Sequence, residues 1–220
     1  MGQFLMSSTP YLVSSAALWV VVLTLAVLVL LLYRHFGLMA LGTLEGVQRD
    51  GLAIGEDAPP LNGITAAGED VRLSPGESRP SFLFFAAPGC APCEKVLPVL
   101  NQFVGLDGAT PEIDVVTVVR GSMGNVQEVE ETHRPPYLAF AEDESRAFEQ
   151  YRVRVTPFAF VVGDDGLVRA KGLCSDPRRF ASLLTAAGLD ASAARAVQAE
   201  ERLVALQEKD GQPTEVEVLR

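Results

Sequence analysis

Residues 81–100 read Ser-Phe-Leu-Phe-Phe-Ala-Ala-Pro-Gly-Cys-Ala-Pro-Cys-Glu-Lys-Val-Leu-Pro-Val-Leu. The first six, Ser81 to Ala86, form a nearly unbroken apolar run, the pattern of a strand buried on both faces. Pro88-Gly89 stops it. Over residues 90–105 the pattern becomes helical, with Val96, Leu97, Leu100 and Phe103 on one face. Pro98 lies inside that helix and is expected to kink it. Cys90 and Cys93 therefore stand where a buried strand hands over to a helix. A helix N-terminus presents free N–H groups and the positive end of the helix dipole. A thiolate placed there is stabilised and its pKa falls. Cys90 is expected at the cap, as the more exposed, attacking nucleophile. Cys93, about one turn further in, is expected to resolve a mixed disulfide. Pro92 lacks an N–H, which costs nothing in a first turn. Two other readings exist: inert buried thiols, or half of a zinc site. Zinc needs a second ligand pair, and only Cys174 and His133 are on offer.

Strand and helix signals alternate around this segment. Residues 54–61 are extended, constrained by Pro59 and Pro60. Val71-Arg72-Leu73 is a short strand candidate. Ile113 to Val119 is a second buried strand, followed by a helix over residues 123–132. Tyr137 to Phe140 is strand-like and residues 143–150 are helical. Phe158 to Val162 and Leu167 to Ala170 flank Gly163-Asp164-Asp165-Gly166, a hairpin signal. An amphipathic helix over residues 177–187 closes the series. Alternation of this kind predicts an α/β fold, a mixed sheet with helices on both faces. Residues 191–220 read as a separate extension, helical over 191–207 and frayed beyond.

The N-terminal part differs in kind. From Ala16 to Tyr33 no residue is charged, and with the lead-in from Tyr11 the apolar stretch spans residues 11–33. A membrane crossing takes about 20 apolar residues. A cleaved signal peptide would carry a basic n-region and a shorter apolar run. Residues 1–15 hold no Lys or Arg, so an uncleaved transmembrane helix is the expectation. Residues 34–52 read as a glycine-bearing tether, residues 53–188 as the folded domain and 189–220 as the extension. Arg34 alone, by the positive-inside rule, would put the domain in the cytoplasm.

The whole chain has 220 residues and a formal charge of −10. Residues 1–50 hold Arg34, Arg49, Glu45 and Asp50, which cancel, so the acidity belongs to residues 51–220. An acidic domain lacks the basic footprint of a nucleic-acid binder and stands off anionic lipid. Three Cys are too few for a disulfide-stapled mini-protein. No cofactor or metal is called for.

Val155-Thr156-Pro157 precedes the hairpin, about 65 residues after the Cys pair. Together these features resemble the thioredoxin superfamily. The Ile54-Gly55-x-x-Ala58-Pro59 lead-in, the FFAAPGCAPCEKVLP segment and the VTPFAFVVGDDG segment look like its membrane-tethered redoxin and TlpA-like group. One N-terminal anchor followed by such a domain is similar to the MauD family of methylamine-utilisation proteins. That resemblance implies a thioredoxin-like fold and thiol–disulfide exchange with a protein client. It implies an upstream redox partner, a membrane thiol–disulfide carrier, and a role in maturing an extracytoplasmic client. It also implies that Pro157 is a cis-proline facing the Cys pair, and that Thr156, with Ala91 and Pro92, positions the client. Tethered domains of this type face the oxidising side of the membrane. That expectation outweighs the single Arg34.

The chain departs from the pattern in places. Thioredoxin proper carries a buried acid six positions before the first Cys, where this chain has Phe84. The proton acceptor for Cys93 is thereby left open: Glu94, directly after the motif, could help, or it is a solvated first-turn acid that complements the helix dipole. Thiol peroxidases need Thr or Ser where Ala87 stands. Ala91-Pro92 is neither the Gly-Pro of strong reductants nor the Pro-His of strong oxidants, so it does not set the direction of electron flow. Cys174 reads as a small buried hydrophobe or a third redox thiol, and His133 as a solvated loop residue or, alternatively, a site residue. The contrasting functional reading is a tethered scaffold that holds a partner in its groove, with Leu203, Val204 and Leu206 of the extension taking part.

Overall fold

A computed structural model describes residues 14, 15, 17–29, 50–106, 112–142 and 146–209. The chain divides into two units, Met1–Gly46 and Val47–Arg220. In the first, residues 17–29 are helical, and Leu18, Trp19, Val21 and Leu25 are exposed. Among the described residues no helix is long and apolar enough to cross a membrane. Residues 11–13, 16 and 30–33 of the expected span lie outside them.

The second unit is built on a seven-stranded mixed sheet in the order β2-β1-β5-β4-β3-β6-β7. The strands are β1 (Leu61–Ile64), β2 (Asp70–Leu73), β3 (Ser81–Ala86), β4 (Asp114–Val119), β5 (Leu138–Glu142), β6 (Phe158–Val162) and β7 (Val168–Leu173). β3 pairs in parallel with β4, and β4 with β5. β6 runs antiparallel to β3, in the register Phe85 opposite Phe158. The helices are α1 (Ala91–Gly105), α2 (Met123–His133), α3 (Arg146–Gln150), α4 (Pro177–Ala186) and α5 (Asp190–Lys209).

All six residues of β3 are buried, because the strand is central and both of its faces are covered. Phe82, Phe84 and Ala86 join Val96, Leu97, Leu100 and Phe103 of α1 and Phe180 of α4. Leu83 and Phe85 face the other way, into Phe148, Tyr151, Phe158 and Phe160. Phe85 is held there by edge contacts with Phe148 and Phe160 at 5.0 and 5.7 Å between ring centroids. This two-sided packing fixes where β3 ends and so where the Cys pair begins. α1 runs through Pro98 as one helix.

Three features differ from the sequence reading. The first is β1, which sequence alone leaves as extended chain. Leu61-Asn62-Gly63-Ile64 contains two residues that strands disfavour. Pairing explains it: Gly63 lies against the Ala141 carbonyl and the Phe140 ring so closely that a Cβ would collide with both.

The second is the tether. Asp50, Gly51 and Leu52 are buried in the domain and do not belong to a flexible linker; residues 34–49 lie outside the described set. Gly51 has φ +73°, and Phe160 and Phe158 would stand 2.7 and 2.9 Å from any Cβ. The glycine serves close packing here, not mobility. Lys171 Nζ donates to the carbonyls of Asp50 (2.8 Å) and Gly51 (3.3 Å), and Arg154 Nε donates to the Asp50 carboxylate at 2.6 Å.

The third is the C-terminal extension. α5 packs on α1 and α4 and places Ala193, Ala196 and Ala199 in the main core. Small residues at helical spacing let the helices approach closely, and their low apolarity hid this face in the sequence. Arg195 ties it down. Its Nε donates to the Phe103 carbonyl at 2.7 Å, and its Nη2 to Leu106 at 2.8 Å and Val104 at 3.4 Å. These are carbonyls at the end of α1, where no helical donor remains. Replacing Arg195 with Ala should cost about 2 kcal/mol, since charged hydrogen bonds to buried acceptors are lost. Urea unfolding checks this, and an unchanged midpoint would mean that Arg195 does not hold α5 to α1.

Candidate active site

Ala86 ends β3, and Ala87 to Gly89 turn the chain, with Cys90 N–H donating to the Ala87 carbonyl at 3.3 Å. Cys90 is the N-cap of α1, and Pro92 occupies its first turn. Cys90 and Cys93 form a disulfide across that turn, their Cα atoms 5.2 Å apart. Cys90 is half-buried, while Cys93 is only 3% exposed. The Cys93 N–H points at Cys90 Sγ at 3.3 Å. The same donor serves a thiolate at Cys90 once the disulfide opens, and the helix dipole adds to it. Only one of the two sulfurs can meet a partner without rearrangement. An attacking and a resolving thiol would require such an asymmetry.

Ala91 and Pro92 are exposed beside the disulfide. Thr156 and Pro157 immediately precede β6, the strand beside β3. The Thr156–Pro157 peptide is cis. Phe158 pairs with Phe85, so Pro157 stands next along the register, level with Ala86 at the mouth of the Cys loop. The Pro157 carbonyl accepts from Cys174 N–H at 3.0 Å, which fixes the loop to the end of β7.

The cleft beside the disulfide has two walls. One is Ala86 to Cys90 with Cys93, Glu94 and Leu97. The other is a stripe of α2: Asn125, Glu128, Val129, Thr132 and His133. The sequence suggests a solvated loop position for His133. It is instead the last residue of α2, half-buried in this wall. Asn101 of α1 donates to its backbone carbonyl at 2.6 Å and holds the helix end in place. Burial pushes the His133 imidazole below its ordinary value, and the Glu94 carboxylate facing it pulls partly back. The signal available in sequence was its place near the end of a helix; contact with α1 needed the fold.

Phe84 lies in the same apolar cluster as Cys93. The buried carboxylates among the described residues, Asp50 and Glu142, do not line the cleft. Cys174 is fully buried in that cluster too, and burial pushes its thiol up to about 12. It stays protonated and enclosed, as a small hydrophobe does.

Comparison with known proteins agrees with this geometry. Residues 54–171 match the AhpC/TSA family. The methylamine utilization protein MauD of Methylobacillus flagellatus is 32% identical over 188 residues, covering 81% of this chain and 87% of that protein. Among solved structures, the thioredoxin domain of a thiol-disulfide oxidoreductase from Bacteroides vulgatus matches 56% of this chain and 89% of its own, with TM-score 0.50 and 21% identity. A putative thiol:disulfide interchange protein DsbE from Chlorobium tepidum matches 56% and 86%, with TM-score 0.50 and 23% identity. At those identities the two structures establish the thioredoxin-like fold. The chain belongs to the AhpC/TSA family of thioredoxin-like proteins and is a homologue of MauD.

Proposed function

We propose that this protein is a membrane-tethered thiol–disulfide oxidoreductase that exchanges disulfides with a protein client through Cys90 and Cys93. The observation that carries the reading is the disulfide across the first turn of α1, with a half-buried sulfur at the N-cap and a buried one behind it. Inert thiols have no need of a helix N-terminus. Cys90 thiolate attacks a client disulfide, and Cys93 then attacks Cys90 Sγ and releases the client as a thiol. Run backwards, the same steps oxidise a client dithiol. Ala91 and Pro92 lie between the two cysteines, Pro157 is level with Ala86 in the sheet register, and with Thr156 they would position the client chain. The relatives are named methylamine utilization proteins, and we place the client in that process, matured outside the cytoplasm. A membrane thiol–disulfide carrier would reset the Cys pair. Ala87, with no hydroxyl beside the cysteines, speaks against peroxide reduction.

The apolar run of residues 11–33 supports the tether, and the need for stable client disulfides supports an extracytoplasmic domain. A pure scaffold role is less well supported. α5 uses part of its apolar face, Leu203 included, on the domain itself.

Replacing Cys93 with Ser should trap client proteins as mixed disulfides on Cys90, seen as reducible adducts on non-reducing gels. No adduct under any redox condition would rule out exchange through Cys90. A membrane-impermeant thiol reagent should label Cys90 in intact cells carrying the Cys93→Ser variant after mild reduction. Labelling only after lysis would place the domain in the cytoplasm.

A further inference from the structure

Exchange through Cys90 and Cys93 poses a proton problem. Cys93 must lose its proton to attack, yet it is almost fully enclosed and packs beside Phe84. Enclosure disfavours a thiolate. The chemistry therefore needs a nearby group that accepts a proton near neutral pH and returns it.

The cleft offers few candidates. From the end of β3 and the loop before α1 it receives Ala86, Ala87, Pro88 and Gly89, none of which titrates, and Cys90, whose sulfur is bound to the client in the resolving step. From α1 it receives Glu94, and from α2 Glu128 and His133. Glu94 and Glu128 are exposed to water. A solvated carboxylate is a weak base at neutral pH, because its ordinary pKa is about 4. His133 alone of the three is partly withdrawn from water. It is also held at its backbone by Asn101, from the helix that carries Cys93.

We propose that His133 is the proton-transfer group for Cys93, in the cleft wall opposite α1. This rests on the exchange reading above. In the resolving step the Cys93 S–H bond gives its proton to the neutral imidazole. The sulfur's electron pair forms the new bond to Cys90 Sγ, and the bond from Cys90 to the client breaks. Its electron pair leaves on the client sulfur, which takes up a proton. No further oxidant or reductant enters, because one disulfide replaces another. Burial favours the neutral imidazole, the form able to accept, while the Glu94 carboxylate favours the imidazolium that forms. The rate of resolution should therefore fall as pH drops through the His133 titration, below the ordinary histidine value of about 6.5.

The test uses the reduced full-length protein in detergent, mixed rapidly with one equivalent of an aromatic disulfide whose thiol is coloured on release. Attack by Cys90 releases the first thiol and resolution by Cys93 the second. In the wild type the inflection of the second phase should coincide with the His133 imidazole titration followed by NMR. In His133→Gln the first phase should stay within about twofold, while the second slows about a hundredfold and loses that inflection. A second phase in His133→Gln with unchanged rate and inflection would overturn the proposal. So would a wild-type inflection that does not follow the imidazole. A variant whose Cys174 reacts with excess reagent has lost its fold, and the wild-type coincidence then decides alone. If the wild type never releases the second thiol, the exchange reading itself fails, whatever His133 does.

Discussion

The site depends on one constraint: β3 is buried on both faces up to Ala86, and α1 begins at Cys90. The aromatic partners Phe148, Tyr151, Phe158 and Phe160 on one side and an α1–α4 layer on the other leave the strand no freedom to slide. A slip of one residue would turn Phe82 and Phe84 out of their cluster and Phe85 into it. The turn at Ala87 to Gly89 then delivers Cys90 to the helix N-cap and Cys93 to the core side of the first turn. Difference in exposure between the two sulfurs follows from that placement. So does the N–H of Cys93 aimed at Cys90 Sγ. The unequal exposure that distinct attacking and resolving thiols would need is thus a consequence of strand packing, before any side chain of the cleft is considered.

The elements with strong periodicity were legible in sequence. β3, β4, β6 and α1 combine apolar runs or helical spacing with clear stops, and the Cys pair falls at the handover between two of them. β1 was not legible, because Asn62 and Gly63 argue against a strand and only the partner β5 makes Gly63 necessary. α5 was visible as a helix but not as part of the domain. Its buried face is made of alanines, which carry little hydrophobic signal, and its anchor, Arg195, reads as a surface charge until the α1 carbonyls are in place. Asp50 to Leu52 failed for a related reason: a glycine that follows Arg49 and Asp50 reads as a linker, whereas Gly51 is the shape that Phe158 and Phe160 demand. His133 belongs to the same class. A residue that acts across two helices cannot be found by the spacing of one.

The chain keeps the thioredoxin-like frame but refits the surroundings of the buried sulfur. Phe84 contributes packing where a carboxylate would contribute chemistry, and the polar groups near Cys93 come from α2 instead. An apolar floor with a polar wall changes what is paid in desolvation: the floor gains a well-packed aromatic ring, and proton transfer moves to a group that water also reaches. Cys174, enclosed in the same cluster, adds bulk without adding a competing nucleophile.

The central claim is that Cys90 and Cys93 form a reversible redox couple in the folded protein. Equilibrating the purified protein across a series of thiol–disulfide buffers, quenching with acid and counting alkylated thiols by mass tests it directly. The account predicts a single two-electron transition in which exactly these two cysteines change together, with Cys174 unmodified until the protein is denatured. A pair that stays oxidised or reduced across the whole series, or that changes only on unfolding, would contradict it.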